Sequence, residues 1–263
     1  MLQVIVSPAK QMRAAQDAFE VQGIPPFARE TAQLHHALLD IERTEGDSGL
    51  QALWNVSDKL LAPCLDILHE FEPILGNGDL ADSGIARRIS PAIMSYHGIQ
   101  YQSMAPEVMD SAQLAWLQDH LWILSGLYGC VRPFHAVEPY RLEMGAKLAV
   151  DDTRDLYAFW GDKLARAIAP AGSNTTIVNL ASVEYAKAVL PTSRATPQPS
   201  RASLARVSAT GSPSNGRPPA KRRAAPWCGG WQKTSSRMQA NLPHSTSVIG
   251  TSPSFQTKTP WFS

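Results

Sequence analysis

Leu2-Gln-Val-Ile-Val-Ser-Pro-Ala-Lys10 decides the fold class. Leu2–Val6 is a short apolar run, and Ser7-Pro8 ends it because proline has no N–H to continue a ladder. Such a run, bounded by turn residues, predicts a buried strand. Far along the chain, Thr175-Thr-Ile-Val-Asn-Leu180 has the same β-branched character. Ser182–Leu190 (SVEYAKAVL) follows as a predicted helix with Ser182 at its N-cap. Between these two stretches the apolar spacing is mostly helical. Ala28–Glu42 puts Leu34, Leu38, Leu39 and Ile41 near one face. Leu50–Phe71 carries Leu53, Trp54, Leu60, Leu61, Leu65 and Leu68, interrupted at Pro63. Ile93–Tyr101 predicts a strand bent at Gly98. Ser111 caps a predicted helix that runs through Ile123 and stops near Gly126. Arg154–Ile168 reads as a further helix. Strands and helices mix, so the expected fold is α+β, a single mixed α/β domain with a central mixed sheet.

Composition narrows the class. The chain has 263 residues and is 44% hydrophobic, enough for a sizeable core. No stretch approaches the roughly 20 apolar residues of a membrane span. No charged segment precedes the first apolar run, so a signal peptide is not expected. Cys64, Cys130 and Cys228 are odd in number and far apart. They form neither a disulfide framework nor a zinc site, and they fit a reducing cytoplasm.

The charge is divided unevenly. Ten of the 24 Lys and Arg lie in residues 191–263, with none of the 23 Asp and Glu. The first 190 residues therefore hold 14 basic and 23 acidic side chains, a balance of −9. Half of the 20 prolines also fall after Leu190, with 21 Ser or Thr. Such a segment cannot bury enough apolar surface to fold, and disorder is expected there.

The common enzyme signatures are missing: no Walker A loop, G-x-G-x-x-G, H-E-x-x-H, G-x-S-x-G or C-x-x-C. His35 and His36 lie about 100° apart on a helix and cannot share a metal as an i,i+4 pair can; solvated histidines are expected. Four segments carry polar chemistry. Ser7-Pro8-Ala9-Lys10 leaves a strand end, where clefts form, so Lys10 either faces a ligand or is a solvated turn residue. Ser57-Asp58-Lys59 suits a helix start. Leu124–Gly145 (LSGLYGCVRPFHAVEPYRLEMG) holds Arg132, Arg141, Glu138, Glu143, Tyr128 and Tyr140. It reads either as a functional loop or as a structural one whose Arg and Glu satisfy one another. Gly126 and Gly129 would let backbone amides approach a ligand. The helix predicted before this Gly-x-x-Gly turn is weakly like a helix-hairpin-helix that holds DNA phosphate. Finally, Asn179–Ser182 with Glu184, Tyr185 and Lys187 joins a strand end to a helix start, a place where an anion can bind.

Together and in this order, these pieces resemble the peroxide stress protein YaaA family. The matching phrases are SPAK (Ser7–Lys10), SDKL (Ser57–Leu60), and Tyr96 with Gly98 and Tyr101. They continue with LSGLYG and VRP (Leu124–Pro133) and PYRLEMG (Pro139–Gly145). DLY-x-FWGD (Asp155–Asp162) and NLAS-x-EY-x-K (Asn179–Lys187) complete the set. The resemblance covers residues 1 to about 190. It implies a cytoplasmic protein of oxidative-stress defence that helps limit intracellular iron and so reduces DNA damage. It also implies a mixed α/β fold with a positively charged cleft, to which DNA binding is attributed, and no established reaction. Carried onto this chain, the cleft would comprise Lys10, Lys59, Tyr101, Arg132, Arg141, Glu143, Glu184 and Lys187. The expected partner is double-stranded DNA. The alternative is a small anionic ligand, phosphorylated or nucleotide-like, on which the protein would act as an enzyme. No cofactor and no metal site are expected, because matched ligand spacing is lacking. The chain departs from the family at Val183, often an acid there, and at His97, frequently a lysine.

The family's C-terminal third has no recognisable counterpart. Codon arithmetic offers a reason. Pro226–Thr234 (PWCGGWQKT), under one permitted coding, cca tgg tgc ggt ggc tgg cag aaa acc, yields Met-Val-Arg-Trp-Leu-Ala-Glu-Asn when begun at the third base. That phrase is like the family's own. A single-base deletion near residue 192 would put residues 191–263 out of frame, and an incomplete, aggregation-prone domain would result. The competing reading is a natural basic tail that binds nucleic acid, with Lys221-Arg222-Arg223 at its centre.

Overall fold

The structure, a computed structural model, describes residues 1–14, 19–190 and 204–205. The opening apolar run is strand β1, Leu2–Val6, and Gln11–Met12 (β2) follows it. Helix α1 covers Ala28–Trp54. It outruns the predicted end at Glu42 because Gly46 breaks its course without stopping it, at φ 68° and ψ −171°. Glycine meets no Cβ penalty at that angle. Asn55, left-handed at φ 50°, closes the helix, as asparagine tolerates. Helix α2 is Asp58–Glu70 and contains Pro63. The interruption predicted at Pro63 therefore lies at residues 55–57 instead. Pro63 is in the second turn, so little beyond the carbonyl of Lys59 loses a partner. Ser57 occupies the N-cap without a side-chain cap bond. Asp58 Oδ1 accepts from Gln51 Nε2 at 2.7 Å and ties the two helices together.

The middle of the chain is finely divided. Ser83–Ala86 (α3), Ser90–Pro91 (β3), Ala92–Ser95 (α4), Tyr96–His97 (β4) and Ile99–Met104 (α5) follow in turn. The strand predicted over Ile93–Tyr101 is thus two short helices around two extended residues. Among the described strands only β2 pairs with this stretch, Gln11 opposite His97 and Met12 opposite Tyr96, so no longer ladder sustains it.

Helix α6, Ser111–His120, is capped by Asp110 rather than Ser111. Asp110 accepts from Gln113 N at 2.8 Å and Gln113 Oε1 accepts from Asp110 N at 2.9 Å, a reciprocal capping box. The helix does not reach Ile123. Leu121–Ser125 is instead strand β5, buried at every residue. A short apolar run fits a buried strand as well as a helix, and pairing decides between them. Gly129–Val131 (β6) and Ala136–Val137 (β7) come next. Leu156–Trp160 (α7) and Lys163–Ile168 (α8) replace the single helix predicted over Arg154–Ile168, because Gly161 turns the chain at φ 51°. Thr176–Asn179 is β8 as expected, and the helix after it, Val183–Ala186 (α9), is short and capped by Ser182. Leu204–Ala205 (β9) pairs with β8. The rest of the segment expected to be disordered, with Cys228 and the Lys221–Arg223 cluster, lies outside the described residues.

The main sheet has the order β6-β5-β1-β8-β9. β5 and β8 both run parallel to β1, with Val4 opposite Leu121 on one side and Val178 on the other. β6 turns back antiparallel on β5, so the sheet is mixed. LSGLYG is the hairpin between them. The helix-hairpin-helix reading therefore fails, because residues 121–131 pair as strands. Ile5, Ile123, Leu124, Leu34, Leu50 and Trp160, all without exposed surface, join sheet and helices in one core. The parallel arrangement sends the chain exits after Val6 and Asn179 to the same end of the sheet. Among the described residues no helix is long and apolar enough to cross a membrane.

Candidate functional site

A cleft of about 240 Å³ opens at that end. Ser7, Pro8, Ala9 and Lys10 leave β1 to form one wall. Tyr140, Arg141, Leu142 and Glu143 form a second, and Ser182, Glu184 and Tyr185 at the start of α9 a third. The walls are bonded to one another. Ser182 N donates to Ser7 Oγ at 2.8 Å, which leaves the Ser7 hydroxyl proton free to donate. Arg141 Nη1 donates to the Lys10 carbonyl at 3.3 Å and Nη2 to Glu143 Oε1 at 2.9 Å. Lys10 Nζ lies 3.0 Å from the same Glu143 oxygen. Glu184 Oε1 accepts from Gly145 N at 2.8 Å. Arg141 Nε is buried without a hydrogen-bond partner.

Buried tyrosines make the floor. Ser125 Oγ donates to Tyr140 OH at 2.8 Å, and Tyr140 OH lies 3.1 Å from Tyr96 OH. Tyr101 OH donates to the Ser7 carbonyl at 2.8 Å, so it supports the first wall from beneath. Burial raises the pKa of Tyr96, Tyr101, Tyr140 and Tyr185 above the usual phenol value. These phenols stay protonated and position the walls. Cys64 on α2 lies within the field of Arg141; burial pushes its thiol pKa up and Arg141 pulls it down.

The expected site residues divide. Lys10, Arg141, Glu143 and Glu184 line the cleft. Tyr101 stands just behind it. Lys187 is one step removed, its Nζ 4.3 Å from the centre of the Tyr157 ring, whose hydroxyl donates to the Glu184 carbonyl. Lys59 is exposed in the first turn of α2 and is not in the lining. Arg132 lies at the other end of β1. It donates to Gln3 Oε1 at 3.0 Å and to the carbonyls of Asp119 and Leu121, and its guanidinium stacks 3.8 Å over Trp122. From Gln3 to Ser7 is about 13 Å of strand. Arg132 is thus a structural cation. Arg132→Ala would remove three hydrogen bonds, although Gln3 Nε2 still donates to the Asp119 carbonyl at 3.2 Å, and is expected to cost about 2 kcal/mol in urea unfolding. Anion affinity at the cleft should stay unchanged.

Two further expectations need correction. Gly126 and Gly129 present no amides to a ligand. A Cβ on Gly126 would stand 2.5 Å from the Leu142 carbonyl oxygen, and one on Gly129 2.7 Å from Leu164. Both glycines serve internal packing. His35 is half-buried and bonded to the Leu68 carbonyl at 3.0 Å, with its pKa lowered chiefly by burial; His36 is solvent-exposed as expected and pairs with Asp40 at 3.1 Å. The sequence reading missed the role of Glu138. Its side chain is 3% exposed, its Oε2 meets Arg88 Nε at 3.1 Å, and its Oε1 has no partner. Arg88 lies 50 residues away in the chain, too far for local pattern to reveal the pair.

Comparison with known proteins supplies the family. Residues 2–203 match the family described as "Peroxide stress protein YaaA". A UPF0246 protein of Lacticaseibacillus casei is 44% identical over 190 residues, 72% of this chain and 70% of the relative. One of Lactiplantibacillus plantarum is 42% identical, covering 72% and 69%. One of Lachnoclostridium phytofermentans is 40% identical over 188 residues, covering 72% and 67%. The phrases at the cleft, the shared length and the level of identity agree: the chain belongs to the peroxide stress protein YaaA family.

Proposed function

We propose that this protein serves the response to hydrogen peroxide in the cytoplasm, helping to limit intracellular iron and DNA damage, and that its cleft holds a small anionic ligand. One observation carries the cleft reading: Lys10 and Arg141 converge on a single carboxylate oxygen at the exit of a parallel strand. Arginine and lysine together suit phosphate or carboxylate. A phosphorylated or nucleotide-like molecule is the class that fits. Chemistry on that molecule would make the protein an enzyme. In isothermal titration with inorganic phosphate, Arg141→Ala is expected to weaken binding by about 10- to 100-fold, the loss of a charge-assisted hydrogen bond worth roughly 1.5–3 kcal/mol. Unchanged affinity in that variant rules out the cleft as the site.

Double-stranded DNA is the second reading, favoured by the ten Lys and Arg of residues 191–263. The cleft itself favours it less. Its charged lining is Lys10, Arg141, Glu143 and Glu184, which sums to zero. A DNA surface would have to be a separate local patch or the tail. If duplex DNA binds, affinity should fall steeply between 50 and 200 mM salt, by about 10³-fold or more for six phosphate contacts. No binding at low salt eliminates this reading.

We infer that residues 191–263 are the out-of-frame reading of a family C-terminal third. Supporting this, the aligned 190 residues account for only 70% of the L. casei relative. Against it, the family match runs on to residue 203. Resequencing the gene across residues 185–200 decides: a missing base supports the frameshift, and an intact frame makes the ten tail cations the first place to seek DNA contacts.

A further inference from the structure

The cleft does not offer free cations. Lys10 and Arg141 share Glu143 Oε1 at 3.0 and 2.9 Å. Among the described residues, the second oxygen of Glu143 takes no hydrogen bond. Glu184 is similar: its Oε1 is held by Gly145 N, and among the described residues its other oxygen is uncommitted. Gly145 permits this approach, since a Cβ there would stand 3.2 Å from Glu184 Oε1. Two carboxylates with unused lone pairs therefore line the same small space as two cations. A bare anion would meet those lone pairs and be held less tightly than Lys10 and Arg141 alone would hold it. A ligand that also carries hydrogen-bond donors would satisfy them.

We propose that the ligand carries hydroxyl groups beside its anionic group, as a monosaccharide phosphate does, and that Glu143 and Glu184 read those hydroxyls. The inference rests on the reading that the cleft binds a small anion. Hydroxyls fit better than an ammonium group. An ammonium at Glu143 would be drawn against Lys10 and Arg141, both within 3.0 Å of that carboxylate, whereas a hydroxyl brings no charge. Tyr140, Tyr185, Pro8 and Leu142 supply the apolar lining that the C–H faces of a sugar ring can pack on. The volume, about 240 Å³, lies below the roughly 300–1,000 Å³ of sites for drug-sized ligands and sets a limit near one sugar phosphate.

The test compares methyl phosphate, ribose 5-phosphate and O-phosphoserine by isothermal titration on the full chain and on Glu143→Gln, Glu184→Gln and Arg141→Ala. Ribose 5-phosphate is expected to bind the unaltered chain at least about tenfold more tightly than methyl phosphate. In Glu184→Gln that preference should shrink below about threefold, while methyl phosphate binds as well or better. Glu143→Gln should strengthen methyl phosphate binding, because the internal competitor for Lys10 and Arg141 loses its charge. Equal affinity for the three esters overturns the proposal, as does a preference for O-phosphoserine or one that survives both glutamines. If methyl phosphate binds, and Arg141→Ala abolishes it, but no hydroxyl preference exists, only this inference falls. If none of the three binds, the small-anion reading falls too.

Discussion

Gly126→Ala is expected to lower stability by about 3 kcal/mol and to weaken the cleft at the same time. Gly126 opens the turn between β5 and β6, and its Cα faces the main chain of the segment carrying the cleft's second wall. An added Cβ would lie 2.5 Å from the Leu142 oxygen, 3.0 Å from the Glu143 carbonyl carbon and 3.1 Å from the Leu142 carbonyl carbon. All three are backbone atoms, so no rotamer change relieves the clash. The Gly126 carbonyl also accepts from Trp160 Nε1 at 3.1 Å, and Trp160 is fully buried. Moving the turn disturbs that bond, while moving the opposite segment displaces Arg141 and Glu143. Urea unfolding with a parallel phosphate titration checks both effects. A loss under 1 kcal/mol would mean that the two segments are not held against one another.

Glu138→Gln is expected to remove most of a pH dependence worth about 3 kcal/mol. The folded protein holds the Glu138 carboxyl up at about 7 against an ordinary 4.5, because burial outweighs the attraction of Arg88. A raised carboxyl pKa favours the folded state only while the group is protonated. The penalty of ionising it is absent below pH 4.5, grows as pH rises, and is complete above about 7. His135 acts in the opposite direction. Burial, and then the Arg132 charge, hold its pKa down at about 4 against 6.5. Its folded state favours the neutral ring, so stability is lost as pH falls from 6.5 toward 4. The stability difference between Glu138→Gln and the unaltered chain isolates the first group, since His135 is common to both. That difference should shift in favour of the variant from pH 4.5 to 7.5. A constant difference over that range would mean that Glu138 does not titrate there.

The sequence by itself determined the class of fold, the opening strand β1, the late strand β8 with its capped helix, and the family. Each rests on local signals: short β-branched runs ended by Ser-Pro or Asn, an N-cap serine, and long phrases such as PYRLEMG. It also picked out the four charged residues that line the cleft: Lys10 after a strand exit, Arg141 and Glu143 in a segment dense in Arg and Glu, Glu184 at a helix start, all four within the family's phrases. Only the tertiary structure decided what LWILS becomes. Apolar at its first four positions, Leu121–Ser125 has no periodicity to separate strand from helix, and its parallel pairing with β1 made it a strand. The structure likewise separated Arg132 from Arg141. In sequence they share one Arg- and Glu-rich segment, but the chain between them turns through β7, so one guanidinium stacks on Trp122 at the start of the sheet and the other reaches Lys10 at its end. Glu138 and Arg88 met for the same reason. A charge pair spanning 50 residues leaves no mark on either segment's local pattern, because what brings the two together is the burial of everything around them.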